Sequence, residues 1–231
     1  MSFRLNPGEL VAVVGPVGCG KTTLSRALGR MVEVDPGQLW LDGVDVTQLS
    51  LEALRRRVAL VPQEGFLFTA SLADNLRYGE PQAAMERVEQ AARQARLEGD
   101  IRGFPDGFDT LVGERGITLS GGQRQRTALG RALLMDAPLL VLDDALASVD
   151  NTTAAGILRS VREQSARSGQ GRSVLMISHQ LSAAAACDRV LVLDDGRLVQ
   201  QGSHQELLGQ PGTYRRLWDR EQVDAQLRAA S

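Results

Sequence analysis

Eight residues, Gly15-Pro-Val-Gly-Cys-Gly-Lys-Thr22, constrain this chain more than any other stretch. They follow an apolar run, Leu10 to Val14, that reads as a buried strand entered through the turn Asn6-Pro7-Gly8. They lead into a segment that reads as a helix from about Lys21 to Met31. The spacing fits G-x-x-x-x-G-K-[ST] at every fixed position, in the strand-to-helix context that pattern requires. Glycines let backbone N–H groups turn inward around an anion, and the helix start adds the positive end of its dipole. The implied ligand is a nucleotide phosphate, with Gly15, Pro16, Val17, Gly18, Cys19, Gly20, Lys21, Thr22 and Thr23 as its candidate binding residues. Lys21 can reach the terminal phosphates and the Thr22 hydroxyl can hold Mg²⁺.

Composition sharpens one position. Lys and Arg together number 26, and Lys21 is the single lysine among them. A compact ammonium on a flexible stem suits a narrow phosphate loop, whereas the planar guanidinium does not. A net charge of −2 provides no basic field for nucleic acid. No apolar run approaches the length of a membrane span. The two cysteines, Cys19 and Cys187, have neither metal-ligand nor disulfide-framework spacing, which suggests a reducing, cytosolic setting.

A second constraint is Leu139 to Asp150, LLVLDDALASVD, where an apolar strand stops abruptly on Asp143 and Asp144. Beside a phosphate loop, the first acid after such a strand is a metal ligand for the nucleotide's Mg²⁺. Asp143 fits that role, so the metal would balance its charge.

Strands alternating with helices predict an α/β fold with a mostly parallel, covered sheet. Strands are expected at Gln38–Leu41, Val58–Val61, 139–142 and 173–178, with a hairpin 190–193/197–199. Residues 51–57 and 152–167 read as helices, and residues 71–99 as mostly helical. Ser120 is expected to cap a helix running to about Met135. The core is assigned to 1–65 and 136–203, an inserted helical subdomain to 66–135, and a helical tail to 204–231.

Leu119-Ser-Gly-Gly-Gln123 places a second glycine-bearing anion site at a helix start, which one nucleotide per chain does not need. With LSGGQ lying between a phosphate loop and LLVLDD, the sequence resembles the ATP-binding domain of ABC transporters. The likeness runs along nearly the whole chain, through VPQ at Gln63, SVD after the acids, ISHQLS at His179 and DRVLVLDDGRLVQQGSHQELL near the end. It implies a P-loop NTPase core with an inserted subdomain carrying the signature, and an ATPase that works as a head-to-tail dimer with two ATP molecules between protomers. Ser120, Gly121, Gly122 and Gln123 would meet the partner's nucleotide. Thr22, Gln63 and Asp143 would hold Mg²⁺, and Lys21, Gln63, Asp144 and His179 would form the catalytic set. His204, by contrast, precedes a polar helix and reads as ordinary.

The segment Thr110 to Gly116, with Glu114, resembles the cross-contact loop of exporters, and PQEGFLFTASLADNLRYG is exporter-like as well. The resemblance therefore implies transmembrane partner domains, fused or separate, and a place at the cytoplasmic face of a membrane. Two departures stand out. The family's active members carry Glu where this chain has Asp144, a side chain shorter by one carbon link of roughly 1.5 Å. A general base must sit within about 2.6–3.2 Å of its proton. That implies a slow site, as in chains that pair with a different, competent subunit; a homodimer using Asp144 as base, or a regulatory half with little turnover, are the alternatives. The other departure is that Phe3 is the one aromatic before the phosphate loop, so the family's upstream adenine-stacking aromatic and first strands are expected to be missing here. Chromosome and repair ATPases with the same signature need long heptad coils, which this sequence lacks. Twin-domain translation factors need a second phosphate loop, also lacking.

Overall fold

In the computed structural model, which describes residues 1–113, 117–167 and 171–229, ten strands and ten helices alternate along the chain. The strands are β1 (Leu10–Val14), β2 (Trp40–Leu41), β3 (Val44–Asp45), β4 (Val58–Val61), β5 (Ala70–Ser71), β6 (Leu111–Val112), β7 (Leu139–Asp143), β8 (Ser173–Ile177), β9 (Arg189–Asp194) and β10 (Arg197–Gly202). The helices are α1 (Lys21–Leu28), α2 (Leu51–Arg57), α3 (Leu72–Arg77), α4 (Met85–Gln94), α5 (Glu98–Arg102), α6 (Gly121–Leu134), α7 (Asn151–Arg167), α8 (Leu181–Ala184), α9 (His204–Leu208) and α10 (Thr213–Ala229).

Six strands form one sheet in the order β10-β9-β1-β8-β7-β4, parallel except where β10 returns antiparallel on β9. The apolar strands explain the topology, since a sheet covered on both faces needs residues that are buried whichever way they point. Leu10, Ala12 and Val14 join one core with Leu140, Leu142, Val174 and Met176, while Val11 and Val13 join a second core with Leu139, Val141, Leu175 and Ile177. The period-2 alternation of strand side chains thus divides one run of hydrophobics between two layers. Leu28 of α1 and Leu54 of α2 complete the second core; α3, α4, α6 and α7 cover the first.

The local departures from the sequence reading have identifiable causes. Helix α1 ends at Leu28 rather than Met31, because Gly29 follows it and Arg30 adopts a left-handed φ of +47°. The strand expected at Gln38–Leu41 reduces to a two-residue hairpin outside the main sheet, turning at Asp42-Gly43. Residues 71–99 divide into α3, α4 and α5, with Gly79 and Pro81 breaking the first gap and Arg96 at φ +58° the second. The helix after Ser120 runs as expected, and its capping box is complete: Ser120 Oγ accepts from Gln123 N, and Gln123 Oε1 accepts from Ser120 N at 2.9 Å. Glu114, with Arg115 and Gly116, lies outside the described residues.

The turn before β1 is clasped to β9. Arg189 donates from Nε and a terminal nitrogen to both oxygens of Glu9, at 2.8 and 3.0 Å, and Asn6 N donates to Glu9 Oε2 at 2.9 Å. Partial burial pushes the Glu9 carboxyl up, but the Arg189 and Asn6 bonds outweigh it and hold it below its ordinary value of 4.5. A carboxyl depressed in the folded state contributes stability above its unfolded pKa and loses it as pH falls through the folded one. Glu9→Gln is therefore expected to destabilise the chain by about 1 kcal/mol at pH 7. Chemical denaturation of both proteins should show that gap closing as pH drops below 4.5.

Candidate functional site

The carboxyl ends of the parallel strands share one edge of the sheet, the usual ligand edge of open α/β sheets. Neighbouring strands β1, β8, β7 and β4 end there, respectively, in the glycine loop, His179, the acid pair and, two residues past Val61, Gln63. The sheet thus gathers residues separated by up to 164 positions of sequence onto one edge.

Within the loop, Gly15 passes so close to β9 that a Cβ there would lie 2.0 Å from Leu193 O, so only glycine fits. Gly20 caps α1 at φ +100°, a conformation that disfavours other residues. No side chain caps this helix, in contrast to Ser50, Ser71, Ser120 and Ser203 at other helix starts. The first amides of α1 could therefore take an anion's oxygens. Lys21 is 5% exposed, and its Nζ donates to Gly15 O at 2.8 Å and Pro16 O at 2.9 Å, with Cys19 Sγ 3.7 Å away. Its ammonium is held inside the bowl of its own loop, close to where phosphate oxygens would sit.

Asp143 is 5% exposed, and the partner it has is neutral: Ser25 Oγ, on the next turn of α1 after Thr22, lies 2.5 Å from its Oδ2. That hydroxyl also lies 2.9 Å from Thr22 O. A buried carboxylate is costly without a cation or hydrogen bonds. Among the described residues no group of three His, Cys, Asp or Glu forms a protein cage for a metal. One carboxylate reached from α1 through Ser25, one turn past Thr22, would with a nucleotide's own oxygens fit the sparse protein ligation that Mg²⁺ favours.

Asp144 has a left-handed φ of +51°, and its N donates to Ile177 O at 2.9 Å, which ties its backbone to the end of β8. Its carboxylate accepts weakly from His179 N at 3.4 Å and lies 4.0 Å from His179 Nε2. The acid is nearly buried, whereas the His179 side chain is 46% exposed. The fold brings these two residues of the expected catalytic set together. Gln63 is exposed, and its carbonyl rather than its side chain makes the described contact, 3.5 Å from Gln125 Nε2. Asp150, the third acid of the stretch, caps α7: Thr153 bonds it and holds its carboxyl below the ordinary range.

Ser120 and Gln123 form a separate cluster, and their described hydrogen bonds do not reach the phosphate loop. Gln123 Nε2 donates to Asp100 Oδ1 at 2.9 Å, and Arg126 pairs with Asp100 Oδ2 at 2.6 Å. Gly122 lies so close to Ser148 O that a Cβ would come within 2.9 Å. The signature turn is thus braced from α5 on one side and from the stretch after the acid pair on the other.

Three residues of this arrangement are absent from the sequence reading. Ser25 has a weak signal, being one turn past Thr22. Gln125 lies in the Arg-Gln-Arg after the signature; its Oε1 accepts from Ser148 N at 2.9 Å while its Nε2 faces Gln63 O. Asp100 carries no local mark, since its role exists only where α5 packs beside α6.

A family model described as ABC transporter matches residues 1–147. The chain belongs to the ABC transporter family. The chain has the P-loop core and mostly parallel sheet of an ABC ATP-binding domain. It is 40% identical over 227 residues to the multidrug resistance-like ATP-binding protein MdlA of Escherichia coli, covering 98% of this chain and 38% of that protein. It is 45% identical over 218 residues to the ATP-dependent lipid A-core flippase of Pseudomonas aeruginosa, covering 94% of this chain and 36% of that one. Among solved structures, a bacterial Atm1-family ABC exporter with ATP bound superposes with a TM-score of 0.88 at 39% identity, covering 96% of this chain and 38% of the other. This ABC domain therefore spans well under half the length of the relatives it matches.

Proposed function

We propose that this ABC domain binds Mg-ATP in the Gly15–Thr23 loop, pairs head to tail with a second ABC ATP-binding domain, and drives export through transmembrane partner domains at the cytoplasmic face of a membrane. The observation that carries the reading is the division of donors. The phosphate loop, Asp143, Asp144 and His179 share the strand edge, whereas the signature turn presents a second helix start elsewhere. A nucleotide on the loop would therefore need the signature of a second ABC domain to be enclosed.

In this reading the α1 amides and Lys21 bind the phosphates, and His179 meets the terminal one. Mg²⁺, held by Thr22, Asp143 and Gln63, would neutralise charge on the phosphate oxygens. Asp144 orients the attacking water, from a carboxylate set back by one carbon link. The site is accordingly slow, and this chain is the weaker half of a heterodimeric exporter. Its intact signature, Ser120 to Gln123, serves the competent site of the other subunit.

Support for membrane partner domains comes from an aromatic face just past Gln63. Phe68 and Tyr78 stack at 4.3 Å, Arg131 lies over both rings, and Phe66 and Tyr78 are 68% and 58% exposed. Exposed aromatics clustered with Arg favour protein contact. Among the described residues no helix is long and apolar enough to cross a membrane, so the transport path would be supplied by other segments.

The head-to-tail arrangement is tested with Ser120→Arg, Lys21→Ala and an equal mixture of the two, following ATP-driven pairing by light scattering at high protein concentration. Each variant alone breaks both composite sites, whereas the mixture retains one site with an intact loop and an intact signature. A dimer in the mixture alone is expected. Equal pairing in all three samples overturns the head-to-tail arrangement, whereas pairing in none is the result for a chain that pairs only with its different subunit.

A further inference from the structure

Helix α8 begins two residues after His179, yet its N-cap residue, Gln180, provides no side-chain cap. The cap comes from forty residues away. Glu221, on α10, accepts from Leu181 N at 2.6 Å through Oε2 and from Ser182 N at 3.1 Å through Oε1. On the other side of His179, Ser178 Oγ accepts from Gln180 N at 2.9 Å, and Ser178 N donates to Val13 O at 3.2 Å. His179 therefore lies on a short span pinned to the sheet at one end and to α10 at the other.

Helix α10 is itself firmly seated. Tyr214 is fully buried, its N donates to Gln200 Oε1 at 3.0 Å, and its hydroxyl lies 2.7 Å from His204 Nδ1. Trp218 meets the same imidazole edge-on at 4.7 Å. A carboxylate bonded to two backbone amides makes charge-assisted bonds, stronger than neutral ones. Orientation of a phosphate-contacting group depends on such support, because displacements of about 1 Å are felt in the chemistry.

We propose that Glu221 is a positioning residue: the carboxyl-terminal helix sets the height of His179 over the site, and with it the preference for ATP over ADP. The proposal rests on the reading that His179 meets the terminal phosphate, which ADP lacks. His204, unremarkable in the sequence, belongs to the anchor that holds α10 in register.

The test measures Mg-ATP and Mg-ADP affinities of the full chain for wild type, His179→Ala, Glu221→Ala and the double variant. His179→Ala is expected to lower the ATP-over-ADP preference about tenfold, within the range for a charge-assisted bond. Glu221→Ala should reproduce most of that loss with ADP affinity unchanged, and the double variant should resemble His179→Ala to within about twofold. Glu221→Gln keeps one acceptor oxygen at the same reach and should restore part of the preference. Equal weakening of both nucleotides by Glu221→Ala, or a full additive loss in the double variant, overturns the proposal in favour of simple helix capping. Loss of preference in His179→Ala but not in Glu221→Ala sinks this proposal alone. No change in His179→Ala sinks the phosphate contact and the proposal together. If Glu221→Ala fails to fold, Glu221→Gln decides: an intermediate preference with unchanged ADP affinity supports the proposal, and a wild-type preference overturns it.

Discussion

Lys21→Ala is expected to weaken ATP binding by at least about 100-fold, since it removes two or more charge-assisted bonds to phosphate, each worth about 1.5–3 kcal/mol. The structure explains why no other residue can substitute. The ammonium is nearly buried against Gly15 O and Pro16 O, inside a loop whose glycines admit no larger side chain at the β9 contact. Lys21→Arg is therefore expected to fail as well, because a planar fork needs more width than this bowl provides. Titration calorimetry with Mg-ATP measures both variants, and thermal unfolding checks that the fold survives. Alanine also leaves two loop carbonyls without their donor. A drop in stability of about 1–2 kcal/mol is expected in the nucleotide-free protein. Wild-type ATP affinity in a folded Lys21→Ala protein would overturn the phosphate-site assignment.

Asp144→Glu is expected to raise ATP turnover by about tenfold or more while leaving ATP affinity near the wild-type value. The backbone at this position cannot move outward to compensate for the short side chain. Its N–H is committed to Ile177 O, its φ is +51°, and Asp143 before it is paired in register with Ile177. A longer carboxylate regains the reach directly. The left-handed backbone tolerates Glu less well than Asp, so a small loss of stability is expected alongside the gain. The measurement is steady-state phosphate release at saturating Mg-ATP, in a dimer whose partner domain keeps its signature but has lost its own catalytic acid, so that turnover reports this site alone. Asp144→Asn separates the competing readings. If Asp144 already serves as an adequate base, Asn should abolish turnover and Glu should add nothing; if the site is slow, Asn should cost little and Glu should gain.

The contrast between Lys21 and Ser25 indicates how much of the site was legible in the sequence. Lys21 acts within eight consecutive residues, and a loop that turns its own amides around an anion must write its requirements locally. Ser25 reaches Asp143 across 118 positions, and nothing next to either residue marks the other. The same holds for Gln125, whose spacing from Ser120 is visible but whose hydrogen bond to Ser148 N is not. Helix ends were read well where a serine cap or glycine stop is local, as at Ser120. The end of α1, where Gly29 is followed by a left-handed Arg30, and the break at a left-handed Arg96 escape the sequence reading, since arginine has no preference for that conformation.

By itself the sequence determined the phosphate loop, the acid pair at the end of a buried strand, the signature turn and the alternation that yields a covered parallel sheet. Each is encoded in fewer than a dozen contiguous residues, through backbone preference and side-chain period. Only the tertiary structure decided which residues meet across the strand edge: Ser25 with Asp143, Asp144 with His179, Asp100 with Gln123, and Glu221 with the turn after His179. Those pairings depend on strand order and on helices packing against one another. Local propensity does not specify them, because the energy that selects them is shared over the whole core.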